Sequence, residues 1–444
     1  MDHFAYRDCR LYCENVPADA IAEAAGTPCY VYSQATLQDH YRRLADAFSP
    51  LDPLICYSIK SCSNIAVCRV LAECGAGMDL VSAGELHRAR LAGVEPARCV
   101  YAGAGKTDAE IREALEASVG WLNVESEAEF ENISSIAASM GRRCRGALRV
   151  NPDVDPRTHR YTTTGKKETK FGVDLERART FFGTYAGDAH CTLCGIHVHL
   201  GSPIYSPEPY VQSIEKVLRL IDGLEGAGHR IEMLDIGGGF GADYETAQTP
   251  PASEYAQRIV PLLEDRVRAG LQVILEPGRT ITANAGVLLV RVLYVKRSGL
   301  KTFVICDGGM NTLLRPSHYD AFHFIWPCRV DAAHVPARRL KRMALDGLAT
   351  VDVVGPICET GDFLARDRPL PPVERGDVLA VFSAGAYGMV MASRYNSMPL
   401  PAEIMVDGDR CTVVRRREDY DDLTAHELTP EPLQLQRLEP TVGR

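Results

Sequence analysis

The chain contains no apolar run as long as the about 18 residues that a membrane-crossing helix needs, so no membrane partner is expected. It also lacks an excess of positive charge, with 49 Lys and Arg against 58 Asp and Glu and a formal net charge of -9. Binding a polyanion requires clustered cations, so nucleic acid is not an expected partner either. Local basic groups such as Arg338, Arg339, Lys341, Arg342 and Arg415 to Arg417 are read as solvated faces. The first twenty residues alternate charged and apolar side chains without a signal-peptide core, which makes the cytoplasm the expected location. The 15 cysteines have no regular spacing, so they are expected as free thiols in the core rather than as a disulfide framework. Cys9 with Cys13, and Cys191 with Cys194, are each half of a zinc-site pattern lacking its second half, and no metal is expected. No solenoid repeat is visible.

What is present is a long chain of ordinary soluble composition, 444 residues with 46% hydrophobic side chains. A single core usually stops growing below this length, so two domains are expected. Eight short apolar runs separated by helical patterns stand out: 54–59, 77–81, 99–102, 120–124, 146–150, 193–198, 231–236 and 272–275. Near-continuous apolar strands alternating with helices indicate a parallel sheet covered by helices. Eight of them over this span predict a closed (β/α)8 barrel at 28–284, with an open doubly wound sheet as the alternative. Ser82 with Glu85, Thr107 with Glu110 and Ser126 with Glu129 have capping-box spacing at helix starts, and Gly75 and Gly93 stand where helices should end. Beyond about 284 the runs become shorter and turn-punctuated. Residues 285–444, joined by 1–27, predict a mostly antiparallel β domain, while Cys29 to Tyr32 is placed with the barrel. The tail from about residue 429 is expected to be loosely held.

A barrel collects its chemistry at the C-terminal ends of its strands. Lys60, Asp79, His199, Gly237 to Gly239 and Glu276 stand there. Lys60 follows an apolar strand, where desolvation would lower its pKa and free its lone pair for a Schiff base; a lysine snorkelling from a strand end is the plainer alternative. The glycine run after strand seven suits close backbone approach to an anion, or merely a tight turn. Glu276 could keep a pyridine nitrogen protonated or form an ion pair with Arg279. His197 and His199 share a strand face, open to metal ligation, ring stacking or packing. A metal-dependent hydrolase would use His197, His199, Asp235 and Glu276, but it leaves Lys60 and the glycine run without a task.

The residues resemble the fold-type III, alanine-racemase-like pyridoxal-phosphate decarboxylases, nearly end to end. The resemblance rests on Tyr57 to Asn64, Gly77 to Leu86, His197 to Ser202, Gly237 to Gly241, Glu276 to Arg279, Arg315-Pro316 with Tyr319 to Ala321, Cys358 to Asp362, and Gly385 to Gly388. It implies pyridoxal 5'-phosphate as cofactor, Lys60 as the Schiff-base lysine, His199 stacked on the ring and Glu276 at the ring nitrogen. Asp79, Ser202, Gly237, Gly238, Gly239, Pro277, Gly278, Arg279 and Tyr387 would complete the cofactor site. Arg279, Arg315, Tyr319, Glu359 and Tyr387 would meet the far end of the substrate, and Cys358 would return a proton. Cys358 and Glu359 would come from a partner subunit, implying a homodimer. The branch most resembled acts on meso-2,6-diaminopimelate, releasing L-lysine and carbon dioxide; D-ornithine, D-lysine, ornithine or a carboxylated polyamine are the alternative substrates. A racemase of the same fold is disfavoured because it would place Arg where Glu276 stands. A partner-binding homologue without activity would be expected to have lost Lys60 or Cys358.

Overall fold

The computed structural model describes residues 2–156 and 170–427; the tail expected to be loosely held lies outside them. All eight expected barrel strands form: β1 (Leu54–Ser58), β2 (Gly77–Leu80), β3 (Cys99–Tyr101), β4 (Trp121–Val124), β5 (Cys144–Asn151), β6 (Cys191–His197), β7 (Met233–Asp235) and β8 (Gln272–Leu275). Neighbours pair in parallel, and β8 returns to β1 through Ile274 opposite Leu54, so the sheet closes on itself. Every residue of β2, β3 and β4 is buried, as a strand covered on both faces must be.

The interior is layered. Cys56, Val100, Trp121, Ala147, Cys194, Met233 and Ile274 form an apolar plug. A Cβ on Gly195 would lie 2.8 Å from the Ala147 Cβ and 3.1 Å from both Met233 and Trp121, which puts that glycine at the same level. Side chains on a strand repeat their direction every two residues. Two positions beyond the plug, the chain places Ser58, Asn123, Arg149, His197, Asp235 and Glu276, all buried, with Asp79 beside them. The barrel thus changes from hydrocarbon to polar groups within one side-chain step, just below its C-terminal mouth.

The helices begin as the capping signals indicate, with one refinement. Thr107 and Glu110 form the full reciprocal box. Ser82 and Ser126 accept from the backbone of Glu85 and Glu129, but the two glutamates reach one residue further back, to Val81 N and Glu125 N, each at 2.7 Å. Gly75 and Gly93 follow helix ends with φ of 100° and 87°, a conformation that favours glycine.

The second sheet runs in the order Phe363–Leu370, Ala349–Val354, Lys301–Cys306, Gly286–Ser298, Cys29–Ser33, Ala402–Asp407, Arg410–Arg415, with Val378–Val381 also on Gly286–Ser298. Its pairings are antiparallel except at Lys301–Cys306 with Ala349–Val354 and at Cys29–Ser33 with Ala402–Asp407. Cys29–Ser33 therefore does not enter the barrel, contrary to the sequence expectation. It is a continuously buried strand, and continuous burial has the same appearance in either sheet; what decides is its pairing with Gly286–Ser298 and Ala402–Asp407. The cysteines of the described chain are free thiols, most of them buried. Among the described residues no helix is long and apolar enough to cross a membrane.

Candidate active site

Lys60 emerges from β1 in a single 3-10 turn, Ile59–Ser61. Its Nζ donates to Asp79 Oδ2 at 2.6 Å, and the Ser58 hydroxyl donates to the same oxygen at 2.5 Å. Burial pulls the lysine pKa down, but the Asp79 and Glu276 carboxylates and the Tyr387 phenol outweigh it, so the net shift is upward. This reverses the sequence expectation of a depressed amine: desolvation is present, but two carboxylates share the space. The Asp79 pKa is itself raised, by burial first and by Glu276 second.

Glu276 follows β8 and is held low despite burial, chiefly by His197 and by Lys60. His197 Nε2 stands 3.5 Å from its Oε2. Asp235, across from Glu276, is pushed well up by burial and by the Glu276 charge, so of these two acids Asp235 is the one that keeps its proton. Asp79 Oδ1 and Glu276 Oε1 are both buried. Such acceptors are costly to leave unsatisfied; the protonated Asp235 hydrogen-bonds to Glu276, whereas Asp79 Oδ1 has no donor among the described residues.

His199 extends from β6 and accepts the Gly238 N–H at Nδ1, at 3.3 Å. Burial, Arg149 and Lys60 hold it down to about 3, so the ring is neutral. The glycine run is required by close approach. A Cβ on Gly238 would lie 2.0 Å from the Glu276 carbonyl oxygen, and one on Gly239 2.3 Å from that of Gly201. Gly278 does the same on the other side, where a Cβ would press on Ser58 at 2.9 Å, and Pro277 O accepts from Ser58 N at 3.0 Å. Both glycine segments thus bring the Glu276–Arg279 turn against β1 and β7.

Beside this cluster opens a cavity of about 350 Å³ lined by His199, Ser202, Arg279, Arg315, Tyr319 and Tyr387 among others. Arg279 Nε donates to Ser202 Oγ at 3.0 Å and its Nη1 to the Tyr244 hydroxyl at 2.7 Å. The guanidinium lies 4.8 Å over the Tyr387 ring, and that of Arg315 lies 5.1 Å over Tyr244. Burial pushes the Tyr244 phenol up, but the two arginines outweigh it and pull it below its ordinary value. Tyr387 is held to the Lys60 turn by its backbone N–H, which donates to Ser61 O at 2.7 Å.

The structure therefore brings together Lys60, Asp79, His199, Ser202, the glycines, the Glu276–Arg279 turn, Arg315, Tyr319 and Tyr387. It does not bring Cys358 and Glu359 to them: both are exposed and outside the cavity lining, with Asn396 donating to the Cys358 sulfur and Tyr395 to Glu359. Of the four residues a metal hydrolase would use, His197, Asp235 and Glu276 have ligand atoms within 4.8 Å of one another, while His199 is turned to Gly238. Sequence reading missed Tyr244, three residues past Gly241, and His323, two past Ala321, although each lies just beyond a segment singled out above.

The site offers an amine at a barrel mouth, a buried carboxylate oxygen awaiting a donor, and serine, arginine and tyrosine groups beside a glycine turn. These suit a phosphorylated aldehyde with a basic ring nitrogen, which defines a pyridoxal-phosphate enzyme of the barrel class. The profile of the family described as pyridoxal-dependent decarboxylase, pyridoxal binding domain, matches residues 34–283. The diaminopimelate decarboxylase of Pseudomonas aeruginosa is 46% identical over 96% of this chain and 99% of its own, and that of Aquifex aeolicus 42% identical over 94% and 96%. The crystal structure of the Helicobacter pylori diaminopimelate decarboxylase complexed with L-lysine superposes with a TM-score of 0.84 at 37% identity, covering 92% of this chain and 98% of that one. The chain belongs to the diaminopimelate decarboxylase family of pyridoxal-dependent decarboxylases.

Proposed function

We propose that the chain decarboxylates meso-2,6-diaminopimelate to L-lysine and carbon dioxide, with pyridoxal 5'-phosphate held at the barrel mouth and two copies of the chain sharing each site. The observation that carries the substrate is the pair Arg279 and Arg315. Both are at least nine-tenths buried, and no carboxylate of the described residues lines their cavity. Two such cations cost solvation and repel each other, so the cavity favours an occupant that brings negative charge. Diaminopimelate carries a carboxylate on the end that does not react; lysine and ornithine do not, and would leave an arginine unpaired.

In this scheme Lys60 would hold the cofactor aldehyde, Glu276 would serve the ring nitrogen, and His199 would hold the ring. Ser202, Arg279, Tyr387, the Gly237–Gly239 turn and the Pro277–Gly278 turn hold the phosphate end, with Asp79 fixing the lysine. When bound, the cofactor supplies the electron sink for the bond broken as carbon dioxide leaves. Arg279, Arg315, Tyr319 and Tyr387 orient the distal amino-acid group, holding the scissile bond in one direction. Glu359 accepts from the distal ammonium, and Cys358 returns a proton to the α-carbon. The exposed position of both residues, away from their own chain's cavity, supports delivery from a second copy. The barrel then supplies most of the cofactor contacts, joined by Tyr387 from the β-rich part, and the β-rich part supplies most of the substrate contacts, joined by Arg279 from the barrel. Free thiols throughout suit a reducing compartment, the cytoplasm.

The test is to incubate the cofactor-loaded protein with meso-diaminopimelate, L-lysine, D-lysine, L-ornithine and D-ornithine, and to measure carbon dioxide and the amine released. Lysine from diaminopimelate alone is expected. Comparable release from the mono-carboxylates would overturn the substrate, and epimerisation without carbon dioxide would overturn the reaction.

A further inference from the structure

Arg315 poses a problem of positioning. Its guanidinium is buried at one end of the cavity, and its one protein hydrogen bond among the described residues runs from Nε to His323 Nε2 at 3.3 Å. The remaining guanidinium nitrogens form no further bond among the described residues, and the residue lines the cavity. A side chain with four rotatable bonds needs an anchor if its fork is to meet a carboxylate in a fixed plane. The usual anchor, an acidic side chain at Nε, would neutralise the cation and compete with any ligand carboxylate.

His323 avoids that conflict. It is fully buried, and its Nδ1 lies 2.9 Å from the carbonyl oxygen of Phe382. A carbonyl only accepts, so the proton resides on Nδ1, and Nε2 presents a lone pair to Arg315, which only donates. The ring is held edge-on to Tyr244 at 5.4 Å, and the backbone carbonyl of His323 accepts from Arg368 Nη1 at 2.7 Å. The charged groups acting on the imidazole are Arg315, Arg368 and Arg279; with burial as the largest cause they hold it down to about 3, so it stays neutral through the range in which an enzyme works.

We propose that His323 is a positioning residue that sets the substrate class of the cavity: its neutral imidazole fixes Arg315 in place without neutralising it, and so reserves the guanidinium for a carboxylate on the ligand. This rests on the reading of the cavity as a diaminopimelate site and goes beyond it by naming what holds the selecting arginine.

The test compares His323→Asn and His323→Gln in the cofactor-loaded protein. Asparagine can keep the donor to Phe382 but is too short to reach Arg315, whereas glutamine can place its amide oxygen where Nε2 stood. For meso-diaminopimelate, His323→Asn is expected to raise KM ten- to a hundredfold with kcat changed less than threefold, and His323→Gln to recover most of the loss. Calorimetric titration with glutarate, a carboxylate probe that cannot react, should weaken and recover in the same order, with thermal midpoints of the two variants alike. If His323→Asn keeps wild-type KM and glutarate affinity, or if His323→Gln is no better than His323→Asn, the assignment fails. If wild-type protein binds glutarate in the expected order of variants but releases no carbon dioxide from diaminopimelate, the proposed reaction fails while the role of His323 stands.

Discussion

The Lys60 ammonium meets the Asp79 carboxylate at 2.6 Å, across the ends of adjacent strands β1 and β2, with Asp79 fully buried. Asp79 leads the groups that raise the lysine pKa against burial, so its replacement has a defined sign. In Asp79→Asn burial gains weight, the amine titrates at lower pH, and more of it is neutral at any given pH. Capture of pyridoxal phosphate by cofactor-free protein requires the neutral amine. Its rate, followed by absorbance, should therefore rise at neutral pH, and its pH profile should move to lower pH. An unmoved profile would show that Asp79 does not govern the protonation of Lys60.

Gly238 is placed by contact rather than by conformational freedom. In Gly238→Ala the new methyl would lie 2.0 Å from the Glu276 carbonyl oxygen, a backbone atom that cannot swing aside. The variant should lose about 1–3 kcal/mol of stability or more and bind cofactor weakly, because Glu276 and His199 both shift. Gly84→Ala, in an exposed helical turn with nothing nearer than 3.7 Å, is the matched control and should be neutral or stabilising by up to about 1 kcal/mol. Thermal melts of the two variants decide; equal losses would contradict the packing account.

Lys60→Ala should abolish the visible absorbance of bound cofactor and all decarboxylation, and Cys358→Ala should cut turnover while cofactor remains bound. If each site draws Cys358 from a second copy, mixing the two inactive variants and allowing subunits to exchange should restore about a quarter of wild-type activity, since half of the dimers are mixed and each has one intact site. No recovery after verified exchange would place Cys358 and Lys60 in the same chain's site, or remove one of them from the reaction.

His323 also predicts a pH dependence of stability. Its folded pKa, about 3, lies below the ordinary histidine value of 6.5, so below that value the unfolded chain takes up a proton that the folded protein does not. Stability is therefore lost as pH falls from about 6.5 toward 3, by roughly 2 kcal/mol from this group at pH 5. His323→Gln removes the titration, so its thermal midpoint should fall less between pH 7 and pH 5 than that of the wild type. Parallel falls would mean that His323 is protonated in the fold.

The barrel was legible because each of its strands is a short apolar run, and because Lys60, His199 and Glu276 stand at or directly beyond a strand end, where a local rule assigns them to the mouth. The polar layer was less so. Asn123 and Arg149 look like ordinary polar residues inside otherwise apolar strands until closure turns them inward. Tyr244 and His323 meet edge-on although they stand 79 positions apart in the sequence, a pairing that no spacing rule reaches. In the second sheet, Phe363–Leu370 and Arg410–Arg415 escaped notice because they are edge strands, whose charged side chains and Pro369 interrupt the apolar pattern. Cys29–Ser33 was misplaced for the opposite reason, having no polar face to show which sheet it joins.

That strand has a consequence for how the molecule comes off the ribosome. Tyr32 finds its first neighbour at Gly286 and Cys29 its second at Ala402, so a segment made among the earliest must wait for most of the polypeptide before either flank is covered. The barrel can close meanwhile, since β1 to β8 are complete before Gly286 emerges. Synthesis therefore favours an order, cylinder before platform: a nascent chain stalled short of residue 286 would carry a finished cylinder with an unsheltered ribbon hanging from its start, and one stalled short of residue 402 a ribbon covered on one flank only.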